Sequence, residues 1–254
     1  MTDLDGKTVL LTGASRGIGA ATARALGAAG AHVVAHYGAH RVGAEEAVAD
    51  IPAPRKLLVA ANFAAPGAAR SLWHEALGWR GRIDVLVANA AVMPDTPLDG
   101  PDAEWDEAWD EVLRVNVLEP ASLIREAVRH FRSSGGGAVI TLSSWAAQRG
   151  SAIPHLTGYA ASKAAIRNLT QTIAHNYARD NVLAYVVAPG IVRTRMSEVS
   201  ALARGGIEGV NAALAMGEMV PAEEVARLIV FLAGGECRHL TGSTIDVNGA
   251  TYIR

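Results

Sequence analysis

Lys7-Thr8-Val9-Leu10-Leu11-Thr12-Gly13-Ala14-Ser15-Arg16-Gly17-Ile18-Gly19 is the stretch that decides the fold. Its first six residues form a short apolar run, and Ala20 to Ala29 after it are rich in strong helix formers. The order is therefore strand, glycine turn, helix. Glycines let the backbone approach a diphosphate closely, and the following helix N-terminus offers unpaired N–H groups and the positive end of its dipole. The spacing is Gly-x-x-x-Gly-x-Gly rather than Gly-x-Gly-x-x-Gly, but the strand-helix context favours a dinucleotide over a plain tight turn.

Working outward, the 254 residues suffice for one large domain, and no Pro/Gly/Ser-rich linker divides them. Half the residues are apolar and only 5% aromatic, which suits aliphatic helix-on-sheet packing. A formal charge of -2 supplies no basic field for nucleic acid or an anionic membrane. The single cysteine, Cys237, cannot form an internal disulfide, and Met1 to Asp5 lack the features of a signal peptide. No apolar run reaches the ~18 residues that a membrane span requires. A soluble cytoplasmic protein is expected.

The second strand, Ala31 to His36, ends where a dinucleotide-binding unit usually carries an acidic residue for the ribose 2′-hydroxyl of NAD. Here the chain reads His36-Tyr37-Gly38-Ala39-His40-Arg41, and no carboxylate follows until Glu45. Arg16, with His40 or Arg41, can instead face a 2′-phosphate, so NADP(H) is expected over NAD(H). His36 and His40 are four apart, but no third ligand accompanies them, and no metal is expected. Lys56–Ala61 and Ile83–Ala88 read as further buried strands, delivering Asn62 and Asn89 to the crevice at the strand ends.

Pro101 to Arg132 reads as a long helical stretch in two pieces, with Trp105 and Trp109 one turn apart and Pro120 bending it. Asn116 lies in its interior, and position alone leaves open whether it faces solvent or stands behind a catalytic group. Gly137–Ser144 is a strand ending in two hydroxyls, and no paired His and Asp suggest a hydrolase triad. Gly158-Tyr159-Ala160-Ala161-Ser162-Lys163 puts a phenol and an ammonium one helical turn apart, on one face. A free tyrosine titrates near ~10, and a neighbouring cation favours the phenolate. Lys163 is therefore expected to lower the Tyr159 pKa, with Ser144 within reach of Tyr159. Val182–Val187 reads as a strand broken by Ala188-Pro189-Gly190, Val225–Leu232 as the last helix, and Thr241–Gly249 as the last strand and turn. The Gly-, Ala- and Met-rich residues 195–219 read as a substrate lid.

With these elements in order, the chain resembles the classical short-chain dehydrogenase/reductase family from about Gly6 to Ala250, and within it 3-oxoacyl-carrier-protein reductase-like members. The resemblance rests on Thr12 to Gly19, Asn89-Ala90-Ala91, Asn116, Ser144/Tyr159/Lys163 and Pro189-Gly190. It implies a single-domain Rossmann fold of the α/β class, with a doubly wound, seven-stranded parallel sheet. It also implies a homotetramer, or homodimer, built through the long helices around 101–133 and 157–178. The implied activity is NAD(P)(H)-dependent reduction of a ketone or 3-oxoacyl carbonyl to a secondary alcohol. In that reading Ser144, Tyr159, Lys163 and Asn116 are catalytic, and Lys163 also holds the nicotinamide ribose. The implied cofactor set is Gly13, Ser15, Arg16, Gly17, Ile18, Gly19, Tyr37, Gly38, His40, Asn62, Phe63, Asn89, Ala90, Tyr159, Lys163, Pro189, Gly190, Ile191 and Thr194. Two departures stand out. The family's Asn-Asn-Ala-Gly is Ala88-Asn89-Ala90-Ala91 here, and the Trp145–Gly158 loop is about two residues longer than in many 3-oxoacyl-carrier reductases. The competing readings are an NAD-dependent secondary-alcohol dehydrogenase and a cofactor-binding sensor or scaffold without catalysis.

Overall fold

A computed structural model describes residues 2–202 and 205–253. Its centre is one all-parallel sheet of seven strands: β1 Thr8–Leu11, β2 His32–Tyr37, β3 Lys56–Ala60, β4 Val85–Ala88, β5 Gly137–Leu142, β6 Val182–Pro189 and β7 Thr244–Val247. The strand order is β3-β2-β1-β4-β5-β6-β7. After β3 the chain crosses the sheet to place β4 beside β1, so the order reverses there and the C-terminal ends of β1 and β4 diverge into a crevice.

The inner strands β1, β2, β4, β5 and β6 are buried on both faces because helices cover both, the edge strands β3 and β7 are only partly buried, and alternate residues supply the two cores. Val9, Leu11, Val33, Ala35, Val85 and Val87 pack under α1 (Gly17–Ala28) and α10 (Ala222–Gly234). Leu10, Val34 and Leu86 face the opposite way, under α3 (Ala68–Arg80), α5 (Glu119–Ser134) and α7 (Thr157–Tyr177). The remaining helices are α2 (Arg41–Ala47), α4 (Asp102–Leu113), α6 (Ala146–Arg149), α8 (Arg195–Leu202) and α9 (Gly206–Ala212). Among the described residues, no helix is long and apolar enough to cross a membrane.

Three local readings need correction. The strand expected from Ile83 begins at Val85; just before it, Asp84 joins the neighbouring strands through its backbone and accepts from the Thr8 N–H with its carboxylate at 2.7 Å. β6 is not broken at Ala188 but runs through Pro189, its last residue, where the missing proline amide disturbs no internal ladder. The expected bend at Pro120 takes the form of a π turn, Arg114–Leu118, between α4 and α5. Proline brings no amide to the carbonyl four residues earlier, that of Asn116, and the helix widens at that point. Next to it, buried Glu119 accepts from the Gly67 and Ala69 N–H groups at 2.9 and 2.8 Å and so ties α5 to the start of α3.

Candidate active site

The glycine turn is held from two sides. Thr12 Oγ1 accepts from the N–H groups of Asn89 and Ala90 at 2.9 and 3.0 Å. The Asn89 amide donates in return to the carbonyls of Thr12 and Gly13, at 2.9 and 3.1 Å. These contacts stitch the ends of β1 and β4 across the switch point, and they need the Asn89 side chain but not a second asparagine at Ala88. A side chain at Gly13 would put its Cβ 2.9 Å from Ala90 Cα, and one at Gly19 would overlap the Gly13 carbonyl. Glycine is therefore required here by close approach.

At the other end of the crevice, β5 and α7 bring the hydroxyls, phenol and ammonium together. Ser144 and the Tyr159 phenol line the same cavity, Ser144 near enough to favour the phenolate, and the Ser143 hydroxyl donates to the Lys163 carbonyl at 2.8 Å. The Lys163 ammonium lies 5.6 Å from the centre of the Tyr159 ring and donates to the Leu142 carbonyl at 2.8 Å. Asn116, expected either toward solvent or behind a catalytic group, is buried. Its amide oxygen accepts from Val92 N–H at 2.8 Å, and its NH₂ donates to Val92 O at 2.9 Å and Ser162 Oγ at 3.0 Å. Ser162 Oγ in turn donates to the Tyr159 carbonyl at 2.7 Å. Asn116 thus fixes both the loop after β4 and the helical turn that carries the phenol.

The expected lowering of the Tyr159 pKa is not what the site does. Burial pushes the phenol up to about 12, opposed by the nearby Ser144 hydroxyl. Burial likewise pulls the Lys163 ammonium down to about 8. Spacing placed the cation on the right face, but desolvation outweighs attraction at this separation, and the ammonium is already engaged by Leu142.

Between these ends runs a cavity of about 1110 Å³. Gly13, Arg16, Gly17, Ile18, Gly19, Gly38, Asn62, Phe63, Asn89, Ala90, Ser144, Tyr159, Lys163, Pro189, Gly190 and Thr194 all line it. The chain after Pro189-Gly190 passes over the glycine turn, where a Cβ on Gly17 would meet Thr194 Cγ2 at 2.8 Å. Asn116 stands behind the wall. Ser15, Tyr37, His40 and Ile191 do not line the cavity either. His40 caps α2 by accepting from Gly43 N–H at 3.1 Å, and exposed Arg41 pairs with Glu45 at 2.7 Å. Both have local tasks, and the guanidiniums that line the cavity are those of Arg16, Arg193 and Arg195, of which Arg16 is the one carried by the glycine turn itself. Tyr37 is buried, while Ile191 packs on Ala201, Val210 and Met219. Val92, Arg193 and Arg195 line it as well, and so does His36, which sequence reasoning missed.

A dinucleotide fits this cavity by its donor set. The N-terminus of α1 has no side-chain cap and no acidic residue in its first turn, so its amides remain available to an anion.

Comparison with known proteins agrees with the architecture. Residues 13–250 match the family model described as Enoyl-(Acyl carrier protein) reductase. The 3-oxoacyl-[acyl-carrier-protein] reductase FabG of Escherichia coli (strain K12) is 30% identical over 251 residues, 99% of each chain. Among solved structures, a 3-oxoacyl (acyl-carrier-protein) reductase from Agrobacterium tumefaciens C58 with NADP bound superposes with a TM-score of 0.88. It is 32% identical, covering 98% of this chain and 95% of that one. A 3-ketoacyl-(acyl-carrier-protein) reductase from Brucella melitensis complexed with NADH gives 0.87 at 26% identity, over 99% and 100% of the two chains. The protein belongs to the short-chain dehydrogenase/reductase family and is an enzyme of that family.

Proposed function

We propose that this enzyme reduces a ketone or 3-oxoacyl carbonyl to a secondary alcohol, reversibly, with NADP(H) preferred over NAD(H). The observation that carries the reading is that Ser144, Tyr159 and Lys163 line the same cavity as the glycine turn, with the Lys163 ammonium 5.6 Å from the Tyr159 ring. The glycine turn and the first amides of α1 would hold the diphosphate, Arg16 the 2′-phosphate, and Tyr159 and Lys163 the region of the nicotinamide ribose. A bound nicotinamide supplies the hydride chemistry. The phenol of Tyr159, protonated at neutral pH, gives its proton to the carbonyl oxygen as charge develops there. Ser144 donates a hydrogen bond to the same oxygen and holds it at the phenol. In the reverse direction the Tyr159 oxygen takes the alcohol proton.

Residues 195–219 are proposed as a lid over the substrate; Ala203 and Arg204 within it lie outside the described residues. The reading is supported by a small core of their own, Ala201, Val210 and Met219, detached from the two main cores. Assembly as a homotetramer or homodimer is proposed through the long helices α4, α5 and α7. A groove between α5 and α7, lined by Ile124, Val128, Leu169 and Ile173 together with Arg125, Arg129 and Arg132, is the face proposed for it. Sedimentation as a monomer at micromolar concentration would contradict it. A cytoplasmic location belongs to the same reading, and fractionation that finds the protein elsewhere would overturn it.

The test of function is NADPH oxidation against a panel of ketones, diketones, sugars and acyl thioesters. Turnover of one of these classes supports the reading, whereas tight NADPH binding without turnover of any carbonyl would favour a sensor or scaffold. The relative complexed with NADH keeps an NAD-dependent alcohol dehydrogenase as the second reading, and tighter binding of NADH would favour it.

A further inference from the structure

His36 is buried at the end of β2, and both of its ring nitrogens are in use. Nδ1 lies 3.1 Å from Gly13 N and Nε2 2.8 Å from Ala61 O. An amide N–H can only donate, so Nδ1 is the acceptor, and the ring proton sits on Nε2, from which it is donated to Ala61. The ring is also stacked on Phe63, with centroids 4.6 Å apart and 13° between planes. The His36 backbone carbonyl accepts from Ala14 N–H at 2.8 Å, so one residue holds two successive amides of the glycine turn. The chain Gly13 N–H, imidazole, Ala61 carbonyl joins the C-terminal ends of β1, β2 and β3, and Asn62 and Phe63 follow directly in the cavity wall.

We propose that His36 is a cofactor-positioning residue: a neutral imidazole strut that fixes the glycine turn at a set distance from the Asn62–Phe63 wall before the dinucleotide arrives. The proposal rests on the cofactor reading above and deepens it by naming what preorganises the adenosine half of the cavity. A turn with positive φ at Gly13 and Gly17 has many alternative conformations. An acceptor for Gly13 N–H removes some of them in the free protein, so that binding need not. The ring's surroundings suit a neutral strut, since burial pulls the imidazole down to about 4 and it carries no charge at neutral pH. It therefore adds nothing to recognition of a 2′-phosphate. Its contribution should be the same for NADPH and NADH, which share the turn and the diphosphate.

The experiment is direct titration of full-length protein with NADPH and with NADH, followed by cofactor fluorescence, alongside the apoprotein melting temperature. His36→Asn retains an acceptor at the Nδ1 position but not the Ala61 contact, whereas His36→Leu retains apolar bulk against Phe63 and loses both hydrogen bonds. The strut predicts that His36→Asn binds within about threefold of wild type, and that His36→Leu binds both cofactors about tenfold or more weakly, as expected for one stranded amide. If His36→Leu does not fold, His36→Gln replaces it, because it reaches Ala61 but offers Gly13 no acceptor, and it should show the same loss. The proposal is overturned if the Leu or Gln variant binds like wild type, if the losses differ between NADPH and NADH, or if affinity in both variants merely follows melting temperature. Failure of the wild type to bind either cofactor would instead overturn the cofactor reading itself, and the strut with it.

Discussion

Lys163→Met should make the free enzyme more stable while removing its activity. The ammonium is only 5% exposed, and its pKa falls from 10.5 to about 8 on burial. That difference corresponds to about 3 kcal/mol of penalty for holding the charge inside. Methionine keeps a flexible stem and removes the charge, but it strands the Leu142 carbonyl, which offsets about 1 kcal/mol. The net gain is about 2 kcal/mol, or a melting temperature about 4–8 °C higher for a chain of this size. The sign with pH follows from the direction of the shift. A lysine with a lowered folded-state pKa destabilises fully below about 8, and the penalty disappears as pH rises through its unfolded value. The advantage of Lys163→Met should therefore be complete at pH 7 and shrink between pH 8 and 10.5. Thermal unfolding of both proteins without cofactor, at pH 7 and at steps to pH 10.5, measures it. A variant no more stable than wild type at pH 7, or an advantage that grows with pH, would refute the argument that desolvation dominates at Lys163.

Two further outcomes are expected. Arg16→Ala should weaken NADPH binding by about ten- to a hundredfold, the loss of one charge-assisted contact, and leave NADH nearly unchanged; equal weakening of both would return the 2′-phosphate to another residue. Hydrogen exchange should find residues 195–219 poorly protected without ligands and slower with cofactor and substrate, and protection equal to that of the central strands in the free enzyme would remove the lid.

The fold was legible because the signals that set it are local. A strand, glycine turn and helix can be read from thirteen consecutive residues, and the other buried strands announce themselves as short apolar runs ending in Asn or Ser. Ser144, Tyr159 and Lys163 were legible for the same reason, since strand end and helical spacing deliver them to one place. Burial was not legible. Spacing gave the neighbour of the Tyr159 phenol but not the medium around it, so the direction of its pKa shift was missed. His36 was weighed only as a metal ligand or a bystander, because its partners Gly13 and Ala61 are backbone groups 23 and 25 residues away. The π turn had a signal that went unused: Pro120 stands four residues after Asn116, where it withholds the helix bond from the residue later found wedged between Val92 and Ser162.

The most direct test of the central claim is the Tyr159→Phe variant, assayed with a substrate that the wild-type enzyme reduces. Phenylalanine keeps the ring and its packing and removes only the phenolic oxygen, so NADPH affinity should stay within about threefold. The rate of NADPH oxidation should fall by ~10²–10⁴-fold, the usual contribution of a positioned general acid. Turnover near the wild-type rate with intact cofactor binding would contradict the assignment of Tyr159 as the proton donor.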